Sequence, residues 1–227
     1  MNAAKLGQNF LIDQNIAKKI INSIPPAKQY IEIGPGFGAL TQHFLNKNLT
    51  CIEIDRSIPS IPGVNWIYSD ALKYNFQTEY IFSNLPYSIS TQIMQLCTEK
   101  ETPGWTFMIQ KEVAERVMAN YGKNYGRLSL LMQSRFSINK LFDIPPTCFL
   151  PRPKVWSTVL QGTRKASTCC LEKLQTVSRI LFTHRRKCLN NVKDPLIIEI
   201  LLNLKIDLKL RPENISPDIF WKIVNEF

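Results

Sequence analysis

Short apolar runs, most of them closed by a polar residue or a glycine, recur along the first half of the chain. Their β-branched and aromatic content is typical of buried parallel strands. They are QYIEIG (29–34), TCIEID (50–55), NWIYSD (65–70), YIFSNL (80–85) and WTFMIQ (105–110). After the first run, ALTQHFLNK (39–47) has helical spacing. This alternation predicts a doubly wound α/β domain, which binds ligands outside the carboxyl ends of its strands.

The pattern changes after a proline cluster, IPPTCFLPRPKV (144–155). From about residue 165 the spacing is helical, and CLEKLQTVSRILFTHRRKCLNNV (170–192) is predicted to form helices. We therefore predict two domains. Residues 1–165 form a Rossmann-like domain, and residues 166–227 form a small C-terminal helical domain.

Composition places the chain among ordinary globular proteins. It has 227 residues, of which 44% are hydrophobic and 20% are charged. No apolar run approaches the roughly 18 residues of a membrane span, and no export signal is visible, so we expect a cytoplasmic protein without membrane contact. The six cysteines lack CxxC spacing and the two histidines lack ligand-spaced neighbours. We expect reduced thiols and no metal site.

Charge is distributed unevenly along the chain. Lys and Arg number 28 against 18 Asp and Glu, which gives a net charge of +10. Residues 1–150 carry 14 basic and 11 acidic side chains, whereas residues 151–227 carry 14 and 7. A basic last third favours a polyanionic partner such as a nucleic acid. A solvated basic surface without a partner is the alternative.

A glycine-rich turn follows the first predicted strand, in EIGPGFGALT. Gly34, Gly36 and Ala39 satisfy the G-x-G-x-x-G/A pattern, which also occurs in nicotinamide-binding domains. The second strand run ends in EID, where Glu53 can accept hydrogen bonds from both ribose hydroxyls. Asp70 ends the third and can accept one from an adenine amine.

Acidic side chains near the ends of three successive strands indicate the kind of ligand. Glu32, Glu53 and Asp70 would repel a pyrophosphate and favour an adenosine that carries a cationic centre. S-adenosylmethionine fits this description. The alternative is that these acids are surface or helix-capping groups.

The run NLPY follows the fourth predicted strand, at the same edge of the sheet. Asn84 through its side-chain oxygen and Leu85 through its backbone carbonyl can accept the two hydrogens of an adenine amine, which aims the nitrogen lone pair at the methyl donor. Pro86 fixes the turn, and Tyr87 offers a face on which a base stacks. We interpret the run as a base-holding site. A tight turn with a packed tyrosine is the alternative.

Nine ordered motifs resemble one family over nearly the whole chain, the KsgA-type small-subunit ribosomal RNA adenine dimethyltransferases. The motifs are LGQNFL, EIGPGFGALT, EID, SDAL, NLPYSIST, MIQKEVAERV, YGRLSLL, FLPRPKVWS and FTHRRKCLNN. The resemblance implies dimethylation of two adjacent adenosines in the hairpin loop near the 3′ end of 16S RNA. It also implies a monomeric enzyme that acts on an immature 30S particle during ribosome biogenesis.

The resemblance also assigns residues. Asn84, Leu85, Pro86 and Tyr87 match the family's catalytic loop. Residues at its S-adenosylmethionine-binding positions, together with Gly36 from the glycine turn, are Asn9, Leu11, Gly34, Gly36, Glu53, Asp70 and Asn84.

The resemblance leaves other interpretations open. The erythromycin-resistance family, which modifies large-subunit RNA, usually reads Asn-Ile-Pro-Tyr, so Leu85 favours the small-subunit family. Arg185, Arg186 and Lys187 point the same way and are predicted to bind RNA from a helix surface. A DNA adenine methyltransferase and a ribosome-assembly factor without catalysis are the further alternatives.

One departure from the family concerns the linker between the second and third strands. Only nine residues separate Asp55 from Asn65, too few for the usual helix. We expect this shortening to affect cofactor affinity more than reaction type.

Overall fold

The computed structural model describes residues 9–45, 48–77, 79–166 and 169–227. The chain forms two compact units, the first comprising residues up to Ala114 together with Ser137–Arg164, and the second comprising Glu115–Phe136 and Lys165–Phe227. The predicted division at residue 165 did not include residues 115–136 in the second unit. They belong there because Tyr125 and Leu131 are buried in its apolar core.

The first unit is built on a seven-stranded sheet. Its strands stand in the order β4-β3-β2-β5-β6-β9-β7, and a separate two-stranded ribbon pairs β1 with β8. β2 to β6 run parallel, whereas β9 pairs antiparallel with β6. The strands are β1 (Phe10–Leu11), β2 (Tyr30–Ile33), β3 (Leu49–Glu53), β4 (Asn65–Tyr68), β5 (Tyr80–Asn84), β6 (Gly104–Gln110), β7 (Phe136–Ile144), β8 (Phe149–Leu150) and β9 (Ser157–Arg164).

The five predicted strands are confirmed as β2 to β6. β4 differs in burial, because it lies at the sheet edge, where Asn65 is exposed and the residues that follow it are half-buried. β7 and β9 were not predicted. Since β2 lies between β3 and β5, the direction in which successive strands are added reverses there. This reversal creates a crevice at the carboxyl ends of the strands.

The first unit also contains α-helices. α1 (Gln14–Ser23) is capped by Asp13, whose side chain accepts hydrogen bonds from the amides of Asn15 and Ile16. α2 (Ser90–Glu99) follows the NLPY run and buries Ile93. α3 (Lys111–Met118) begins in the first unit and ends in the second.

The helix predicted over 39–47 is wrong for the residues that the structure describes there. Residues 39 and 40 form a turn, and a single 3₁₀ turn occupies Thr41–His43. Thr41 and Phe44 are buried, and the Thr41 hydroxyl donates to the Glu32 carboxylate at 2.7 Å. These tertiary contacts override the local helical spacing.

The linker between β3 and β4 has no helix, as its length predicted. Residues 56–57 and 62–63 form turns, and the residues between them have no regular secondary structure. Ile58 is buried, and its carbonyl accepts a hydrogen bond from the Tyr68 hydroxyl at 2.7 Å. The shortened linker is therefore packed against the end of β4.

The second unit is helical. Its described residues contain the end of α3 and four further α-helices around a core that includes Leu174, Val177 and Phe220. The helices are α4 (Arg127–Arg135), α5 (Leu171–Phe182), α6 (Pro195–Asn203) and α7 (Pro217–Glu226).

The helix predicted for the basic run Arg185–Lys187 is wrong. α5 ends at Phe182, and residues 183–186 form turns closed by a hydrogen bond from the Lys187 amide to the His184 carbonyl at 2.7 Å. The run therefore lies on a loop. Among the residues that the structure describes, no helix is both long and apolar enough to span a membrane.

Candidate active site

A cavity opens at the carboxyl ends of β2 to β5, where the strand order reverses. It contains about 810 Å³ of empty space when the open solvent at its mouth is included. Its lining comes from the ends of the strands, the loops that follow them and residues 9 and 10. Among the lining residues are Asn9, Phe10, Gly34, Gly36, Glu53, Asp70, Asn84, Leu85, Pro86 and Tyr87.

The turn after β2 forms the floor of this cavity. Gly34 and Gly36 adopt φ angles of +61° and +55°, a region that side chains disfavour. A Cβ on Gly36 would lie 2.9 Å from the Phe10 ring. Both positions therefore favour glycine for their backbone conformation, and Gly36 also lacks room for a side chain beside Phe10.

Glu53 ends β3 and is 1% exposed. Its Oε2 accepts a hydrogen bond from the Gly36 amide at 3.2 Å, and its Oε1 accepts one from the Asp55 amide at 2.9 Å. These bonds fix the carboxylate, while each oxygen keeps a lone pair for a further donor. Two hydroxyl groups of a ribose are suitable donors.

Asp70 follows β4 at the same edge. Its Oδ1 accepts a hydrogen bond from the Leu72 amide at 2.9 Å. The carboxylate is thereby fixed beside the cavity, with capacity to accept from an exocyclic amine.

Glu32 lies within β2 and is 2% exposed. Burial raises the pKa of its carboxyl to about 8, the hydrogen bond from Thr41 lowers this pKa, and the nearby Glu53 charge raises it. The Glu32 carboxyl is therefore largely protonated at neutral pH. Of the three acids named from the sequence, Glu53 and Asp70 line the cavity and Glu32 lies behind it.

The NLPY run forms the opposite wall. The Asn84 Nδ2 donates to the Asn9 carbonyl at 2.8 Å, which leaves the Asn84 Oδ1 as the acceptor of this side chain. The Leu85 amide donates to the Met108 carbonyl at 3.1 Å, which ties the loop to β6. Pro86 lies 3.5 Å from the position of a Cβ on Gly34. The loop is thus fixed against the glycine turn.

Tyr87 is held through its hydroxyl, which lies 3.1 Å from the Ser157 Oγ at the start of β9. Burial raises the pKa of Tyr87 above its usual value of 10.0, and the Ser157 hydrogen bond lowers it. The phenol therefore stays protonated at neutral pH and does not serve as a base.

The structure brings together all but one of the residues assigned to the cofactor and the catalytic loop. The exception is Leu11, which is 5% exposed and belongs to the apolar core of the first unit. Phe10 and Ser157 were missed by sequence reasoning. Phe10 lies in the motif LGQNFL, but nothing in its apolar side chain indicates a place in the cavity. Ser157 is 70 residues from Tyr87, so no local sequence signal connects it with that tyrosine.

The three residues predicted to bind RNA lie in the second unit and differ in environment. Arg185 forms an ion pair with Glu213 at 2.8 Å, and its Nη2 also donates to the carbonyls of Lys123 and Tyr125. Arg186 and Lys187 are exposed. The guanidinium of Arg185 is thus engaged within its own unit.

The electrostatics of the cavity fit S-adenosylmethionine better than a dinucleotide. Two carboxylates line it, and of the lining residues in the described ranges none is Lys, Arg or His. A cationic sulfonium is compatible with this charge, whereas a pyrophosphate would be repelled. The described residues also contain no group of three or more His, Cys, Asp or Glu arranged to hold a metal ion.

The strand order, the glycine turn and the acidic strand ends define an S-adenosylmethionine-dependent methyltransferase. A solved dimethyladenosine transferase from Plasmodium falciparum has the same fold, with a TM-score of 0.78 and 23% identity over 96% of this chain and 97% of that one. The 23S rRNA methyltransferase ErmE gives a TM-score of 0.73 and 20% identity over 96% and 99%. At these identities the similarity establishes the fold alone.

Sequence comparison identifies the family. Residues 2–227 match the family model described as ribosomal RNA adenine dimethylase. The ribosomal RNA small subunit methyltransferase A of Malacoplasma penetrans is 38% identical, over 98% of this chain and 91% of that protein. The chain belongs to the ribosomal RNA adenine dimethylase family.

Proposed function

We propose that the protein dimethylates two adjacent adenosines in the 3′-terminal hairpin loop of 16S RNA, within an immature small subunit in the cytoplasm. The name of the Malacoplasma penetrans relative supports the small-subunit target. The observation that carries the chemistry is the Asn84 side chain, whose amide nitrogen is held by the Asn9 carbonyl at 2.8 Å beside the cofactor cavity.

Orientation is the main contribution of the chain to this reaction. The nitrogen of an adenine amine is a weak nucleophile because its lone pair is delocalised into the ring. Acceptance of its hydrogens by the Asn84 Oδ1 and the Leu85 carbonyl would hold the nitrogen so that its lone pair points toward the methyl group. Holding two reactants in such a geometry can lower a barrier by several kcal/mol.

The remaining residues hold the two substrates. Glu53 and Asp70 would bind the ribose and the adenine of the cofactor, and Tyr87 would stack on the target base. The bound cofactor would supply a methyl group from a positively charged sulfur, and that sulfur would keep the electrons of the broken C–S bond. The amine proton released after attack passes to water, so the chain needs no general base.

We include in the proposal that the second unit binds RNA. Residues 115–136 and 165–227, which form this unit, carry 15 basic and 8 acidic side chains, and this excess supports the role. Because Arg185 is paired within the unit, we assign the phosphate contacts of the basic run to Arg186 and Lys187. Contacts of this kind position the RNA without reading its sequence.

The test is mass spectrometry of ribosomal RNA from cells that lack the protein, complemented with wild type or Asn84→Ala. Wild type should restore two dimethyladenosines in small-subunit RNA. Asn84→Ala should bind the immature subunit but methylate at least about 100-fold more slowly, since orientation is lost.

Each other outcome has a defined meaning. Methylation of large-subunit RNA would overturn the assigned target. Wild-type rates for Asn84→Ala would overturn the orienting role. Binding without methylation by every variant, wild type included, would favour an assembly factor.

A further inference from the structure

The segment 150–156 in the first unit connects the two sides of the cavity mouth. At its start, Leu150 pairs with Phe10, which lines the cavity. At its end, Ser157 lies 3.1 Å from the hydroxyl of Tyr87, which also lines the cavity. The segment, which we call the rim, therefore borders the opening through which a target base must enter.

The rim exposes an unusual set of side chains. Leu150 is 64% exposed and Trp156 is 49% exposed. Arg152 and Lys154 are exposed as well, and no ion pair is found for either of them in the part of the chain that the structure describes. Cations that alternate with apolar and aromatic groups are typical of surfaces that bind single-stranded nucleic acid.

The backbone of the rim is fixed. Pro153 is buried between its exposed neighbours. The Trp156 carbonyl accepts a hydrogen bond from the Lys111 amide at 2.9 Å, next to the end of β6. A large indole is therefore presented to solvent from a rigid position one residue away from the contact with Tyr87. Rigid exposed aromatic rings contribute strongly to binding because little conformational freedom is lost.

We propose that the rim binds the nucleotides next to the target adenosine, with Trp156 stacked on a neighbouring base and Arg152 and Lys154 on the flanking phosphates. This inference rests on the proposed function, because it assumes an RNA target. In an RNA the nucleotides on either side of the reacting base must pass close to the mouth of the cavity. Arg152 and Lys154 form no ion pair among the described residues, which favours a polyanion over a protein as the partner. Binding of a protein is one outcome that the test distinguishes.

The test compares the methylation kinetics of wild type, Trp156→Ala and Trp156→Phe on small ribosomal subunits from cells that lack the enzyme. A base stack is worth about 1–3 kcal/mol, so Trp156→Ala should raise KM by roughly 5- to 150-fold. Trp156→Phe should have a KM close to that of wild type, because it keeps an aromatic ring. The Kd for S-adenosylmethionine, measured by calorimetry, should be the same for all three.

Charge is tested separately. Arg152→Ala and Lys154→Ala should each reduce the slope of log KM against log salt by roughly 0.7–0.9, as expected for one phosphate contact. Lys28→Ala is the matched control, since Lys28 is exposed in the same unit but precedes β2, at the opposite edge of the sheet. It should leave the slope unchanged.

Ultraviolet crosslinking with mass spectrometry locates the contact. A Trp156–nucleotide adduct supports the inference, and an adduct with a ribosomal protein overturns it. If wild type methylates the subunits and Trp156→Ala has the same KM, the rim inference falls while the proposed function stands. If wild type neither binds nor methylates the subunits, both fall.

Discussion

Single hydrogen bonds determine the geometry of the candidate active site. The Asn84 amide and the Tyr87 hydroxyl each have one partner from a distant part of the chain, Asn9 and Ser157 respectively. The motif NLPY therefore supplies the chemical groups, and its surroundings supply their orientation. The Tyr87 contact changes what is expected of conservative variants, because only the ring of this residue has a role in the sequence-based interpretation.

Tyr87→Phe should lower the methylation rate by up to about tenfold, since the hydrogen bond that it removes is worth about 0.5–1.5 kcal/mol. Ser157→Ala should lower it by a similar factor. The double variant should be no slower than either single variant, because both remove the same interaction. Single-turnover kinetics would show this.

The control is Tyr80→Phe, which removes a buried hydroxyl contact with Thr106 of 2.8 Å at the start of β5, away from the cavity. It should reduce stability without slowing methylation. Additive effects in the Tyr87 and Ser157 double variant would contradict a shared role.

Glu32 makes stability depend on pH. Its pKa is raised in the folded protein to about 8, from 4.5 in the unfolded chain, chiefly by burial. The folded protein therefore binds the Glu32 proton more tightly than the unfolded chain does. The contribution of this proton to the free energy of unfolding is fully present below about pH 4.5 and is lost as the pH rises through about 8. Each pH unit within this window lowers the free energy of unfolding by about 1.4 kcal/mol.

Denaturant titrations at pH 5, 6.5 and 8 would test this. Glu32→Gln keeps an acceptor for Thr41 but does not titrate, so its stability relative to wild type should increase steadily with pH. A difference between the two proteins that is constant with pH would contradict protonation of Glu32 in the folded state.

At the scale of elements, the glycine turn after β2 joins three parts of the site. The Gly36 amide donates a hydrogen bond to Glu53, and the Phe10 ring occupies the space that a side chain on Gly36 would need. Gly36→Ala should destabilise the protein by at least about 1–2 kcal/mol, because of the positive φ, and should also weaken S-adenosylmethionine binding by displacing Phe10. Thermal unfolding and calorimetry measure the two effects.

Gly63→Ala separates the effect of positive φ on stability from the effect on cofactor affinity. Gly63 has a φ of +85°, but an added Cβ would meet nothing within 4 Å. This variant should show the backbone penalty with unchanged cofactor affinity. Equal cofactor affinities for the two alanine variants would show that the Phe10 contact is unimportant for binding.

Sequence reasoning worked best for these elements where one signal dominated. The parallel strands were predicted because their apolar runs are continuous, and the cavity followed from the polar residues at their ends. The helix predicted over 39–47 is wrong for the described residues 39–45, because the bond between Thr41 and Glu32 is not visible in local spacing. Likewise, neither the pairing of β9 with β6 nor the contact of Ser157 with Tyr87 has a local signature.

At the scale of the whole molecule, charge and structure assign different tasks to adjacent residues. Arg186→Ala combined with Lys187→Ala should reduce the salt dependence of binding to the immature subunit by roughly 0.7–0.9 for each phosphate that is no longer neutralised. The melting temperature should not change, because both side chains are exposed. Binding measured from low to moderate salt gives the slope.

Arg185→Ala is the informative comparison. It breaks the ion pair with Glu213 and two bonds to backbone carbonyls, so it should lower stability by about 1–2 kcal/mol while leaving the slope unchanged. A steeper or flatter slope for Arg185→Ala would show that this arginine contacts RNA after all.

Residues 115–136 belong to the second unit, although the residues on either side of them in the chain belong to the first. This arrangement limits where the protein can be cut and which gene segments can be exchanged. The chain crosses between the two units three times, after Ala114, Phe136 and Arg164. A cut at residue 165 would leave Tyr125, Leu130 and Leu131 on the catalytic fragment, without the core in which they are buried. Recombination that exchanged only the C-terminal segment would break that core, so the two units are expected to descend together as one gene segment rather than as interchangeable modules.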